Sequence, residues 1–138
     1  MQGRVLSVAS EYVPLVKTGG LADVAGALPG GLLGQGWDMR SLLPAYPGLI
    51  EKAGAGQEVW SDPDLFGGPA RVVMGQVGAD MVPLLDAPHL YERAGGPYGN
   101  PKDFPDNAQR FAALSWAASR IAIAGLSDGW VPDVMHCH

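Results

Sequence analysis

The chain has 138 residues, 47% of them hydrophobic, and a net charge of −5 from 14 Asp and Glu against 9 Lys and Arg. This length fits one packed domain, and the hydrophobic content excludes a disordered chain. The acidic balance, with no stripe of Lys or Arg, argues against nucleic acid as a partner. A single cysteine, Cys137, excludes an internal disulfide framework and favours a cytoplasmic location, and no apolar run is long enough to span a bilayer.

The first third of the sequence predicts a strand, a loop, a helix and a second strand. Residues 5–9 are a short apolar run typical of a buried, central strand, and residues 11–20 form a loop that ends in two glycines. Residues 21–34 have helical spacing, with a kink at Pro29, and residues 39–43 predict a strand parallel to the first. The apolar helix face is predicted to hold Leu21, Val24, Ala25 and Leu28. This order indicates an α/β fold with a Rossmann-like parallel sheet and flanking helices.

The middle of the chain has short apolar runs in place of helical spacing. Residues 71–74 and 81–85 are short apolar runs separated by a Gly-containing turn, which predicts a β-hairpin insertion. The 88–105 segment is rich in Pro, Gly, Asn and aromatic residues and shows no periodicity, so we expect a long loop of the kind that is often functional.

A second helix and a last strand complete the predicted elements. Asp106 and Gln109 resemble a capping box that opens a helix ending at Gly125. Residues 132–138 predict a strand on which the sequence stops, so we expect an incomplete domain. The buried side of the helix is predicted to comprise Phe111, Leu114, Ala118, Ile121 and Ala122.

Residues 17–20, here called the glycine loop, combine features of a diphosphate site. The N–H groups at a helix start are unpaired and partly positive, Gly19 and Gly20 would let a ligand approach the backbone, and Lys17 adds a full charge. The pattern is neither the dinucleotide-binding fingerprint nor the P-loop, and two glycines before a helix are also common in an ordinary turn. Both interpretations are open on these residues alone.

A series of motifs resembles the opening of bacterial glycogen synthases and plant starch synthases. The first motifs are SEYVP at 10–14, KTGGLADV at 17–24, GALP at 26–29 and LPAYP at 43–47. Further matches are PHLYER at 88–93, GPY at 96–98, Asp106, Asn107, Arg110, Phe111, WVPDV at 130–134, His136 and His138. The resemblance covers the whole chain.

The resemblance implies a two-domain (GT-B type) glycosyltransferase of which residues 1–138 are part of the N-terminal catalytic domain, with no second domain present. The implied reaction transfers glucose from ADP-glucose to the nonreducing end of an α-1,4-glucan with retention, without metal or organic cofactor. In the family the other essential groups come from beyond His138, so the chain alone is expected to be inactive.

The resemblance also implies roles for individual residues. Lys17 would contact the donor near its phosphates, Gly19 and Gly20 would admit the diphosphate, and Asp23 would hold the sugar end. The competing interpretations are a solvated loop charge for Lys17 and a carboxylate that complements the helix N-terminus for Asp23. Glu11, just past the first strand, is predicted to contact donor or acceptor, with a surface carboxylate as the alternative.

Residues outside the glycine loop leave more alternatives open. His89, Tyr91 and Tyr98 in the 88–105 segment could line a sugar cleft or anchor the loop. His136 and His138 alternate on the last strand and would share one face, which could be cleft-lining in a synthase or could open the ligand run of a metal-dependent hydrolase. Two histidines are too few for a metal site. A non-enzymatic module that binds nucleotide or glucan is the other alternative.

Overall fold

The computed structural model describes residues 2–138, which form a six-stranded sheet and four helices. In chain order the elements are β1 (Gly3–Val8), α1 (Gly20–Leu33), β2 (Trp37–Pro44), α2 (Leu49–Lys52), β3 (Gln57–Asp62), β4 (Ala70–Val77), β5 (Asp80–Asp86), α3 (Pro88–Tyr91), α4 (Asn107–Ala124) and β6 (Val134–Cys137). The strand order across the sheet is β3-β4-β5-β2-β1-β6. The predicted α/β class is confirmed.

β1 is an interior strand, as predicted from its apolar run. It pairs in parallel with β2 on one side and with β6 on the other, so that Val5 lies between Met39 and Val134. Its last four residues are buried, which shows that both faces of the strand are covered, as is usual for a parallel sheet.

The predicted hairpin is present and belongs to the main sheet. β4 and β5 are antiparallel, and β5 continues the sheet by pairing in parallel with β2 at Leu43 and Leu84. β3, which was not predicted as a strand, pairs with β4 and forms one edge.

α1 runs through Pro29 to Leu33, close to the predicted limits, and its predicted apolar face is only partly right, since Ala25 is buried, Leu21 and Leu28 are half-buried and Val24 is exposed. The buried residues are Ala22, Ala25 and Pro29, while Val24 is 55% exposed. Small side chains face inward because the loop after β1 crosses the helix closely, with Val13 N–H donating to the carbonyl of Ala22. Periodicity of large apolar residues therefore placed Val24 on the wrong side of the helix.

α4 ends at Ala124, directly before Gly125 with its φ of 77°, and buries most of the predicted face. The capping box is wrong: Asp106 is the residue before the helix, but its side chain makes no capping bond within residues 2–138. Instead Arg93 donates to both carboxylate oxygens of Asp106, at 2.8 and 2.6 Å. Two charge-assisted bonds outcompete a single backbone N–H donor.

The direction in which successive strands are added to the sheet reverses at β1, and the candidate site lies at this reversal. α1 leads from β1 to β2 on one side, whereas α4 leads to β6 on the other side of β1. Ligands of open α/β sheets bind at the carboxyl ends of the strands that flank such a reversal. Within residues 2–138 no helix is long and apolar enough to cross a membrane.

Candidate functional site

A cleft of about 490 Å³ opens at the carboxyl ends of β1 and β6. One wall is the first half of α4, and the 88–105 segment closes one end. The lining includes Ser10, Tyr98, Asn107, Phe111 and His138. The glycine loop follows Ser10 by seven to ten residues and begins α1 next to this region.

Glu11 holds the glycine loop from the inside. The residue is 3% exposed. One carboxylate oxygen accepts the Thr18 N–H at 2.7 Å and the Gly19 N–H at 3.3 Å, and the other accepts the Thr18 hydroxyl at 2.7 Å. Tyr98 donates its hydroxyl to the same second oxygen. Because the carboxylate is buried, the alternative of a surface carboxylate is excluded, and contact of Glu11 with a ligand stays a prediction.

The hydrogen bonds to Glu11 determine its charge state. Burial by itself disfavours the ionised carboxylate, but the bonds from Tyr98, Thr18 and Gly19 outweigh it, so the pKa of Glu11 lies below its usual value. Burial, together with the bond to Glu11, raises the pKa of Tyr98 to about 12. The pair is therefore a carboxylate with a protonated phenol at neutral pH.

Tyr98 joins the 88–105 segment to the end of β1. Its hydroxyl is 2.6 Å from the Ser10 hydroxyl, and the hydroxyl of Tyr46 donates to the Ser10 carbonyl at 2.8 Å. Of His89, Tyr91 and Tyr98, it is Tyr98 that lines the cleft.

Neither the backbone conformation nor the packing of the fold requires glycine at positions 19 and 20. Gly19, the cap residue of α1, has an extended φ of −160° that any residue adopts. A Cβ built on Gly19 or Gly20 would meet no atom of residues 2–138 within 4 Å. Since Gly19 has no side chain, it supplies no side-chain acceptor to the first-turn N–H groups of α1. An unblocked helix start of this kind suits an anion.

Lys17 and Asp23 form an ion pair on the outer side of the loop. Nζ of Lys17 donates to both carboxylate oxygens of Asp23 at 2.8 Å. The two side chains are 53% and 55% exposed. Exposed pairs of this kind contribute little to stability, about 0–1 kcal/mol, so either charge is free to exchange its partner for a ligand.

For His89 and Tyr91 the contacts within the described residues favour the second of the two alternatives, that they anchor the loop. His89 Nε2 lies 2.7 Å from the carbonyl oxygen of Leu65, in the connection between β3 and β4. Tyr91 is 1% exposed and donates its hydroxyl to the Arg110 carbonyl at 2.6 Å. A ring enclosed in this way has no face left for a sugar.

His136 on β6 and His138 directly after it lie on the same side, as the alternation predicts. Their rings stack with centroids 4.6 Å apart, and His138 Nε2 is 3.2 Å from the Ser7 hydroxyl. Burial and the neighbouring His136 lower the pKa of His138. Within residues 2–138 no third His, Cys, Asp or Glu lies close enough to complete a metal-binding group with them.

Sequence reasoning missed the part of Arg110 in this region. Its side chain is fully buried, and it donates to the carbonyls of Leu90 and Pro97 and to the Asn107 side chain. The available signal was its position, because it lies on the same helical face as Leu114 and Ile121. Arginine is assumed to be exposed when apolar spacing alone is considered.

Comparison with known proteins gives one consistent result. The family model described as "Starch synthase catalytic domain" matches residues 4–138. Glycogen synthase of Cereibacter sphaeroides is 62% identical over 138 residues, which is 99% of this chain and 29% of that protein. Glycogen synthase of Paracoccus denitrificans is 58% identical over 137 residues, covering 98% of this chain and 29% of that protein.

A solved structure agrees with these sequence matches. The catalytic domain of starch synthase IV from Arabidopsis thaliana, bound to ADP and acarbose, superimposes with a TM-score of 0.76 at 26% identity. The match covers 99% of this chain and 28% of that chain. The chain thus spans less than a third of the length of these relatives, and these matches give no support to a metal-dependent hydrolase or a non-enzymatic module. The resemblance read from the motifs is confirmed, and the chain belongs to the starch synthase catalytic domain family.

Proposed function

We propose that this chain forms part of the donor-binding wall of a glycogen synthase, which transfers glucose from ADP-glucose to the nonreducing end of an α-1,4-glucan with retention. The observation that carries the proposal is the glycine loop, which begins α1 beside the reversal of the sheet with two glycines that the fold does not require. The relatives that are 62% and 58% identical are named glycogen synthase. The structural neighbour is bound to ADP and acarbose.

The glycine loop suits the departing nucleoside diphosphate. Transfer of the glucosyl group leaves negative charge on the diphosphate, and positive groups aimed at that charge lower the barrier. In this proposal the first-turn N–H groups of α1 and the ammonium of Lys17 face the diphosphate, and Gly19 and Gly20 leave room for it. Asp23, released from Lys17, accepts hydrogen bonds from hydroxyl groups of the donor sugar.

The cleft beside the loop suits the acceptor. Its volume of about 490 Å³ and its lining by Tyr98, Phe111 and His138 combine aromatic surface with hydrogen-bonding groups, which is the combination that sugar rings require. We assign residues 1–138 to part of the N-terminal domain of a two-domain cytoplasmic enzyme, with the remaining catalytic groups supplied from outside this chain.

A chimera tests the proposal. This chain replaces the matching 138 residues of the Cereibacter sphaeroides glycogen synthase, and incorporation of glucose from ADP-glucose into glycogen is measured. We expect an active chimera. Lys17→Ala in the chimera should raise the KM for ADP-glucose about tenfold, the size expected when a bond to a charged group is lost.

The matched control carries the corresponding segment of the Paracoccus denitrificans enzyme in the same position. If that control is active while the chimera with this chain folds and does not elongate glycogen, the proposed function is wrong. An active chimera whose kinetics do not respond to Lys17→Ala would instead remove Lys17 from the donor site.

A further inference from the structure

The buried guanidinium of Arg110 is the most unusual polar group of the molecule. The residue is fully buried, yet within residues 2–138 it forms no ion pair with a carboxylate. The charge lies 4.8 to 5.6 Å from the ring centres of Tyr91, Phe104 and Phe111. The aromatic rings and the hydrogen bonds of the guanidinium offset the cost of burying its charge, and the acceptors of those hydrogen bonds identify what Arg110 holds in place.

Those hydrogen bonds converge on the segment that carries Tyr98. Arg110 Nε donates to the Leu90 carbonyl at 2.6 Å, and Nη1 donates to the Pro97 carbonyl at 2.8 Å. Nη1 also donates to Oδ1 of Asn107 at 2.8 Å, and Nδ2 of Asn107 donates to the Tyr98 carbonyl at 2.8 Å. The guanidinium therefore holds the backbone of Pro97 in place through a direct hydrogen bond. It holds the backbone of Tyr98 in place indirectly, through Asn107.

Tyr98 in turn contacts the carboxylate that holds the glycine loop. Its hydroxyl donates to Glu11, whose two oxygens also accept from Thr18 and Gly19. A continuous set of hydrogen bonds thus joins Arg110 in the interior to the backbone of the glycine loop, through three intermediate side chains.

We propose that Arg110 is a positioning residue for the glycine loop, acting through Asn107, Tyr98 and Glu11. The inference rests on the proposed function, because it assigns the loop to the donor. A guanidinium can bond two carbonyls and an amide oxygen at fixed angles, whereas an ammonium in the same place cannot reproduce this fork. Loss of the fork lets Tyr98 move, Glu11 loses one of its donors, and the loop amides lose their fixed place.

The experiment uses the chimera described above with Arg110→Lys, Tyr98→Phe and the double variant. Each single change should raise the KM for ADP-glucose about tenfold, with a smaller change in kcat. Because both changes interrupt the same path, the double variant should be no worse than the poorer single variant. Independent effects would multiply to about a hundredfold, and that result would overturn the proposal.

Hydrogen exchange gives a readout that does not depend on activity. Arg110→Lys should accelerate exchange in a peptide covering residues 11–23 and leave a peptide covering residues 70–86, in the hairpin, unchanged. Equal acceleration in both peptides would mean that Arg110 acts on global stability alone, and the inference would fail. This comparison decides the inference even if the chimera is inactive, which would be a failure of the proposed function.

Two further variants keep the test decisive. Asn107→Asp retains the oxygen that accepts from Arg110 but removes the donor to the Tyr98 carbonyl, so it should reproduce the local exchange effect if Arg110→Lys fails to fold. Arg93→Lys is the matched control, since Arg93 lies on the same segment but binds Asp106. We expect it to leave exchange of residues 11–23 and the KM for ADP-glucose unchanged, and an effect as large as that of Arg110→Lys would overturn the proposal.

Discussion

The loop between β1 and α1 has an inner side and an outer side whose polar groups are satisfied in different ways. On the inner side, Glu11 is 3% exposed and receives its hydrogen bonds from Thr18, Gly19 and Tyr98. On the outer side, Lys17 and Asp23 have only each other as side-chain partners among residues 2–138, and both side chains are more than half exposed.

This difference gives the two sides of the loop different roles: the inner side supports the loop backbone, and the outer side is available for contact with a ligand. Groups on the inner side are occupied by the protein and define where the backbone lies, so changing them should alter stability. Groups on the outer side can be given up to a ligand at little cost in stability, so changing them should alter binding. The glycines follow the same division: Gly26 packs against the loop backbone, whereas Gly19 and Gly20 face open space within the described residues 2–138.

Glu11→Gln should have the largest effect on stability. The amide keeps the shape of the carboxylate but removes its charge, which weakens several hydrogen bonds at once, and we expect a loss of about 3 kcal/mol in the free energy of unfolding near neutral pH. Urea denaturation of this chain and of the variant measures the difference.

The pH dependence of that difference is a second check on the same change. Glu11 has a folded-state pKa below its ordinary value of 4.5, so its stabilisation is complete above that value and is lost as the pH falls through the folded pKa. The gap between the native chain and Glu11→Gln should therefore shrink on acidification. A gap that stays constant between pH 7 and pH 3 would show that the charge of Glu11 does not stabilise the loop.

Gly26→Ala should have the next largest effect. A Cβ at this position would lie 2.6 Å from the Val13 carbonyl oxygen and 3.2 Å from its nitrogen. The helix or the loop must then move apart, which costs about 2 kcal/mol for overpacking of this kind. Urea denaturation with an unchanged midpoint would show that the loop yields freely and is not held by the helix.

The sequence predicted β1, α1, β2, the β4–β5 hairpin, α4 and β6 because each has a local signal, and it missed β3 and the short helices α2 and α3. The apolar run of β1, the glycines before α1 and the helical spacing after Asp106 are all contained in short windows. What it missed depends on partners that are distant along the chain. Tyr98 lies 87 residues from Glu11, and no spacing rule connects a tyrosine in an irregular segment with a carboxylate after the first strand.

Two prediction errors, in the cap of α4 and in the buried face of α1, also come from tertiary contacts, here between residues that are closer along the chain. Asp106 was predicted to cap α4, but Arg93 occupies its carboxylate, and the stronger charge-assisted contact prevails over the local one. The face of α1 was predicted from its larger apolar residues, but close packing of the loop at Gly26 selects alanines. In both cases a tertiary contact overrides a local preference.

Gly20→Ala should have the smallest effect on stability and the clearest effect on function. Gly20 is the first residue of α1, and an added Cβ meets no atom within 4 Å in the described chain. Alanine is also the better helix former, so the free energy of unfolding should stay within about 0.5 kcal/mol of the native value or rise slightly.

A ligand phosphate that approaches the first-turn N–H groups of α1 would collide with the new methyl group of Gly20→Ala. In the chimera we therefore expect a KM for ADP-glucose raised about tenfold, the cost of losing a charge-assisted hydrogen bond. Gly26→Ala is the matched comparison, because it adds the same methyl group to the same helix on the side that faces the loop. If Gly20→Ala lowers stability as much as Gly26→Ala and leaves the KM unchanged, then Gly20 is a packing glycine, and the outer side of the loop is not a ligand surface.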